Sequence, residues 1–119
     1  MSRRLDDLDA EFKPRAMELL ARCAEAGVPV MVIYTFRTEV EQAELVAKGL
    51  SWTKFSRHQI GRAIDICPYE IFQLHGPDKL QWNSSDPVWT KIGELGERKC
   101  GLIWGGRWKV LDLGHFEQR

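Results

Sequence analysis

Charge of one sign is what this 119-residue chain most plainly lacks: 17 Lys and Arg stand against 17 Asp and Glu, for a formal net charge of zero. A domain held mainly by phosphate-backbone attraction needs a basic surface, so no nucleic-acid partner is expected. Cysteine is scarce as well. Cys23, Cys67 and Cys100 are an odd set without C-x-x-C spacing, which argues against a disulfide framework and for buried thiols in a reducing compartment. Long apolar runs are missing too. The longest, Val28 to Tyr34, contains Pro29 and is far too short to cross a bilayer, so no membrane insertion is expected. The opening MSRRLDDLDAEF turns acidic at once and has no apolar core. That pattern predicts a chain made in the cytoplasm without a signal peptide. There are no repeats, linkers or low-complexity tracts, and the length predicts one domain over residues 1–119. What is present suffices to fold it: 44% of residues are hydrophobic, which with zero net charge excludes a disordered chain.

Periodicity outlines the elements. Leu5, Leu8, Phe12, Ala16, Leu19, Leu20 and Cys23 recur at three- and four-residue steps, predicting a first helix with one apolar face. Asp6, Asp7, Asp9 and Glu11 suit its first turns and Gly27 its end. Val28 to Tyr34 reads as a buried strand. Thr38 and Glu41 have the capping-box spacing, so a second helix should run from there to about Lys48, with Gly49 ending it. Residues 50–62 read as a loop, Ala63 to Cys67 as a short strand closed by Pro68, and residues 69–84 as a long excursion containing a hairpin. Asp86-Pro87 starts a third helix with Val88, Ile92, Leu95 and Cys100 inward and Gly101 as its cap. Two short strands around Gly105-Gly106 and a last strand at His115 to Glu117 complete an α+β fold: a small antiparallel sheet with helices packed on it.

Chemistry concentrates in two places. In the first, His58 and Asp65 are seven apart, too far for one helix face, but a loop feeding a strand can aim both at one point, with Gly61 allowing a tight turn between them. On its own the pair equally describes a surface histidine and the polar face of a strand. In the second, Asp112 precedes His115 by three residues and Glu117 follows it by two. A catalytic zinc takes three N or O ligands and keeps an open position, and a further acid nearby can do proton work. Two histidines and two aspartates make that inventory complete, although an end-strand histidine with salt-bridged acids accounts for the second cluster equally well.

The stretch Ser56-x-His58-x-x-Gly61-x-Ala63-x-Asp65, followed by Asp112-x-x-His115, resembles the zinc peptidases of the D-alanyl-D-alanine carboxypeptidase and L-alanyl-D-glutamate endopeptidase group. Upstream, Tyr34-Thr-Phe-Arg37-Thr38 with Gln42 resembles the group's arginine-bearing segment, and Trp104-Gly105-Gly106 with Trp108 its approach to the last histidine. The resemblance covers roughly residues 28–117 and implies a fold shared with hedgehog-type domains and DD-peptidases. It implies one zinc ion per chain on His58, Asp65 and His115, with Asp112 as general base and Glu117 as the alternative base. Arg37 would stabilise an oxyanion or bind a substrate carboxylate, and Ser56 and Trp108 would contact substrate. Aspartate rather than glutamate at position 112 points to the phage endopeptidase branch. The resemblance therefore implies an endolysin, stored in the host cytoplasm and reaching the cell wall after the membrane is permeabilised, that cuts the L-alanyl-D-glutamate bond of peptidoglycan stem peptides. A D-Ala-D-Ala carboxypeptidase or dipeptidase, or a non-catalytic binding module of the same fold, is the alternative, and a monomer is expected. One departure stands out: the residue before the last histidine, often proline or bulky in the group, is Gly114. Of the remaining candidates, His75 reads as a surface histidine and Cys67 as a packing residue. Trp89 reads as core, Trp82 as a groove residue like Trp108, and Lys54 and Arg62 as possible partners for stem-peptide carboxylates.

Overall fold

The computed structural model describes residues 1–53, 55–69 and 80–118. Among these, three helices, α1 (Lys13–Glu25), α2 (Glu39–Ala47) and α3 (Val88–Cys100), accompany four strands, β1 (Val30–Tyr34), β2 (Ala63–Pro68), β3 (Ile103–Trp104) and β4 (His115–Glu117). The sheet has the order β1-β2-β4-β3 with every pairing antiparallel, as the α+β reading expects. No helix among the described residues is long and apolar enough to cross a membrane.

The first helix begins later than its apolar spacing suggests. Residues Leu5–Asp7 form only a 3-10 turn, and α1 opens with Pro14 in its first turn. Proline has no N–H for the carbonyl four residues back, so it suits the first turn of a helix and not its interior, and the helix starts here instead of at Leu5. Leu8 and Phe12 are buried all the same, because the segment before the helix folds back: the amide of Asp9 donates to the carbonyl of Gly61 (3.0 Å). One hydrophobic cluster then joins Phe12, Leu19 and Cys23 with Ile92 of α3 and Ile64, Ile66 and Phe116 of the sheet.

β1 is a second difference. It sits at the sheet edge, and Met31 is 43% exposed, so its β-branched run is half-buried; the central strand β2 is buried except at Asp65. The tail also departs from the sequence reading. After Trp104 the chain enters a 3-10 turn, Gly105–Arg107, instead of a second strand, because the carbonyl of Gly105 accepts from the amides of both Trp108 (3.3 Å) and Asp112 (3.1 Å) and gathers the segment into a loop. Elsewhere sequence and structure agree. The Thr38–Glu41 capping box is formed at α2, Gly101 closes α3 in the left-handed region, and all three cysteines are buried. Tyr69 and Leu80 form an antiparallel bridge; the excursion between them, with His75, lies outside the described residues, as does Lys54.

Candidate metal centre

Sheet register brings the two motifs together. Asp65 and His115 are directly opposite on β2 and β4, and opposed residues of an antiparallel pair point to the same face. His58 arrives from the 3-10 turn Arg57–Ile60 just before β2. That turn has its own capping box: Ser56 Oγ accepts from the His58 amide, and Gln59 reaches back to the Ser56 amide. Gly61 ends it with φ +71°, and a Cβ there would stand 2.7 Å from the Asp9 amide nitrogen. The turn between His58 and Asp65 thus requires glycine, as its position suggested.

One ligand atom from each of His58, Asp65 and His115 lies within 4.8 Å of the other two. His58 Nδ1 donates to the carbonyl of Thr35 (2.7 Å), which turns Nε2 toward Asp65, 3.2 Å from its Oδ2. That nitrogen is buried and has no hydrogen-bond partner. A buried imidazole nitrogen aimed at a carboxylate without a hydrogen bond between them is an uncompensated arrangement, and a divalent cation would complete it. His115 mirrors His58: its Nε2 is 2.9 Å from Glu117 Oε1, and its Nδ1 is 3.1 Å from Asp65 Oδ1 and 3.8 Å from Asp112 Oδ2. An outer acceptor on the far nitrogen is the arrangement that orients metal-bound histidines.

The electrostatics match a cation site. Burial works against charge on both Asp65 and His115. The hydrogen bond from His115 and the adjacent imidazole of His58 nonetheless hold the Asp65 carboxyl well below the usual carboxylate range. Hydrogen bonds to Asp65 and Glu117 push His115 up to about 9. Asp112 is raised, first by its recess in the cleft and then by the negative charge of Asp65.

These groups line a cleft of about 590 Å³. Of the residues singled out in the sequence, Arg37, Ser56, Asp112 and Trp108 also line it. Trp108 packs its ring 5.0 Å from that of His115 and meets Trp52 edge to face at 6.5 Å. Gly114, the departure from the family pattern, has a steric cause: a Cβ there would lie 2.4 Å from the Ile66 carbonyl oxygen. β4 can close on β2 only with glycine before His115. Other candidates are used elsewhere. Trp82 stacks on Trp89 at 6.4 Å, away from the cleft. Arg62 pairs with Asp9 and Glu11 (3.5 and 3.7 Å), so it ties down the N-terminal segment and does not face the cleft. Cys67 is buried in β2 among the core residues. Two further residues matter. The Thr35 carbonyl carries no sequence signal. Gln42, which the sequence marked only as part of the arginine-bearing segment, sits fully buried on α2.

Comparison with known proteins agrees with this geometry. A family model described as D-alanyl-D-alanine carboxypeptidase matches residues 49–118, more than half of the chain. The chain belongs to this peptidase family. It is 28% identical over 106 residues to the L-alanyl-D-glutamate peptidase of Listeria phage A118, a match covering 88% of this chain and 36% of that protein. It thus spans about a third of the length of that relative. The crystal structure of the L-Ala D-Glu endopeptidase ChiX from Serratia marcescens superposes with a TM-score of 0.73 and 26% identity, over 97% of this chain and 83% of that one. A mutant of the vancomycin-resistance D,D-pentapeptidase VanY, in complex with Zn(II), shares the fold at a TM-score of 0.58 and 21% identity, over 92% and 71% of the two chains.

Proposed function

We propose that this chain is a zinc peptidase that hydrolyses the L-alanyl-D-glutamate bond of peptidoglycan stem peptides, as the lytic enzyme of a phage or prophage. The observation that carries the reading is the buried, unpartnered Nε2 of His58 converging with Asp65 and His115. Two histidine nitrogens and one carboxylate are a donor set that zinc favours and that leaves a position open. His58 would bind through Nε2, His115 through Nδ1 and Asp65 through its carboxylate. When bound, zinc supplies a Lewis acid for the scissile carbonyl and acidifies water to near neutrality.

The remaining work falls to the protein's own groups. Asp112 has its Oδ2 3.8 Å from His115 Nδ1, at the edge of the cleft. It accepts a proton from the attacking water and returns it to the amine leaving group. Its raised pKa brings it nearer the pH at which it must both take and give a proton. Arg37, in the cleft wall, donates to the carbonyl oxygen as negative charge develops there. Glu117 is 2.9 Å from the outer nitrogen of His115 and therefore orients that ring; it is not the base. Trp108 and Ser56 line the same cleft, within reach of a bound peptide.

The L-alanyl-D-glutamate peptidase and the L-Ala D-Glu endopeptidase among the relatives support the endopeptidase branch. Digestion of purified peptidoglycan should release peptides that begin with D-glutamate and leave L-alanine on the glycan. Free D-alanine as the main product would instead make the chain a carboxypeptidase. Elemental analysis after zinc reconstitution should find one zinc per chain, and none in a variant carrying both His58→Ala and His115→Ala.

A further inference from the structure

We propose that Gln42 is a positioning residue that couples the Arg37 guanidinium to the cleft-mouth segment 51–53, so that the cation on one wall and the aromatic rim on the other are held by a single amide. The inference rests on the peptidase reading for its kinetic part and on geometry alone for the rest. Gln42 is a polar side chain with no exposed surface, on α2. A buried amide must find partners for both its oxygen and its N–H groups, and each partner is informative. Its Oε1 accepts from Arg37 Nη1 at 2.7 Å. Its Nε2 donates to Ser51 Oγ at 3.0 Å and to the Thr53 carbonyl at 2.6 Å. A guanidinium can only donate and a carbonyl can only accept, so the amide has one permitted orientation.

Both ends of this bridge line the cleft. Arg37 is 8% exposed. Its Nε faces the Met1 sulfur at 3.1 Å and its Nη2 lies 3.7 Å from Asp65 Oδ2, so the bond from Gln42 sets the rotation of the fork about the metal group. At the other end, Ser51 and Thr53 flank Trp52, which is 71% exposed and meets the edge of Trp108. A substrate pressed against Trp52 therefore loads the same amide that aims Arg37. An apolar side chain of similar size would fill the space but strand the Thr53 carbonyl and one guanidinium N–H, each costly when buried.

Two variants separate the halves of the bridge in the full-length, zinc-reconstituted protein. Gln42→Glu still accepts from Arg37 but offers no N–H to Thr53, so it frees the segment and keeps the fork. Gln42→Met loses both. Amide hydrogen exchange over residues 50–56 should rise by about tenfold in both variants, the effect of one lost hydrogen bond, while exchange in α1 and α3 stays unchanged. On a muramyl stem peptide, Gln42→Glu should raise KM with little change in kcat, whereas Gln42→Met should also lower kcat by about 10²-fold, the scale of a misplaced catalytic group. Zinc affinity should match the parent in both. Unchanged exchange over 50–56 in both variants, an equal kinetic defect in the two, or a fall in zinc affinity parallel to the fall in kcat would each overturn the coupling. If the parent itself cleaves no stem peptide, the proposed function falls, while the exchange and zinc measurements still decide the role of Gln42.

Discussion

Asp112 and Glu117 flank His115 and are both acidic, yet their surroundings assign them different tasks. Glu117 is bound to the outer nitrogen of His115 at 2.9 Å and lies 3.7 Å from Arg57, so its charge is already engaged. Asp112 has half of its side chain exposed and faces the cleft. Asp112→Asn should therefore keep zinc while lowering turnover by roughly 10²–10⁴-fold, the usual range for a general acid–base group; steady-state rates and zinc content on the same sample check this. Glu117→Ala should do the reverse, lowering zinc affinity by about 10–100-fold, as loss of an outer-sphere partner does, and a competition titration with a chelator of known affinity reads it. If Glu117→Ala kept full zinc affinity and lost turnover, the two roles would be exchanged.

At the scale of elements, the site hangs on two short connections. The capping box of Thr38 and Glu41 starts α2, the helix that carries Gln42. Thr38→Ala should cost about 0.5–2 kcal/mol of stability, seen as a lower denaturant midpoint with unchanged slope. The turn before β4 is more demanding. A methyl group at position 114 would come within 2.4 Å of the Ile66 carbonyl oxygen, and backbone on both sides prevents relief. Gly114→Ala should push β4 away from β2, separating His115 from Asp65, and so weaken zinc binding together with stability. A crystal structure of the variant, with the Asp65–His115 distance as its readout, decides the point.

For the molecule as a whole, the ionisation of His115 links metal, proton and stability. Its pKa is raised from 6.5 to about 9, so the protonated ring stabilises the metal-free fold. That contribution is complete below pH 6.5 and is lost as pH rises through about 9. Metal-free protein should therefore show a melting temperature that falls across this window. Zinc-loaded protein should lack that fall, because a coordinating nitrogen carries no proton. Zinc uptake at pH 7 should release protons, measurable by calorimetry in buffers of different ionisation enthalpy. Removing the metal should also lower the melting temperature, since a cation that binds only the folded chain stabilises it by mass action.

Much of this was legible in the chain itself, where the cause was local. The capping box at Thr38, the glycine ends at Gly61 and Gly101 and the strand over Ala63 to Cys67 follow from neighbouring residues, while His58, Asp65, Asp112 and His115 stand out through a motif that resembles a peptidase family. Pro14 was an equally local signal, outweighed in the reading by the apolar spacing around it. Tertiary structure decided the rest. Only the pairing of β2 with β4 places Asp65 opposite His115, and only the sheet order makes β1 an edge. The carbonyl of Thr35 orients His58 through a backbone group that no side-chain pattern encodes. The contact between Gly114 and Ile66 joins segments almost fifty residues apart. Whether Gln42 is an exposed helix residue or the buried bridge between two walls of a cleft depends on where α2 packs, and packing is a property of the assembled chain.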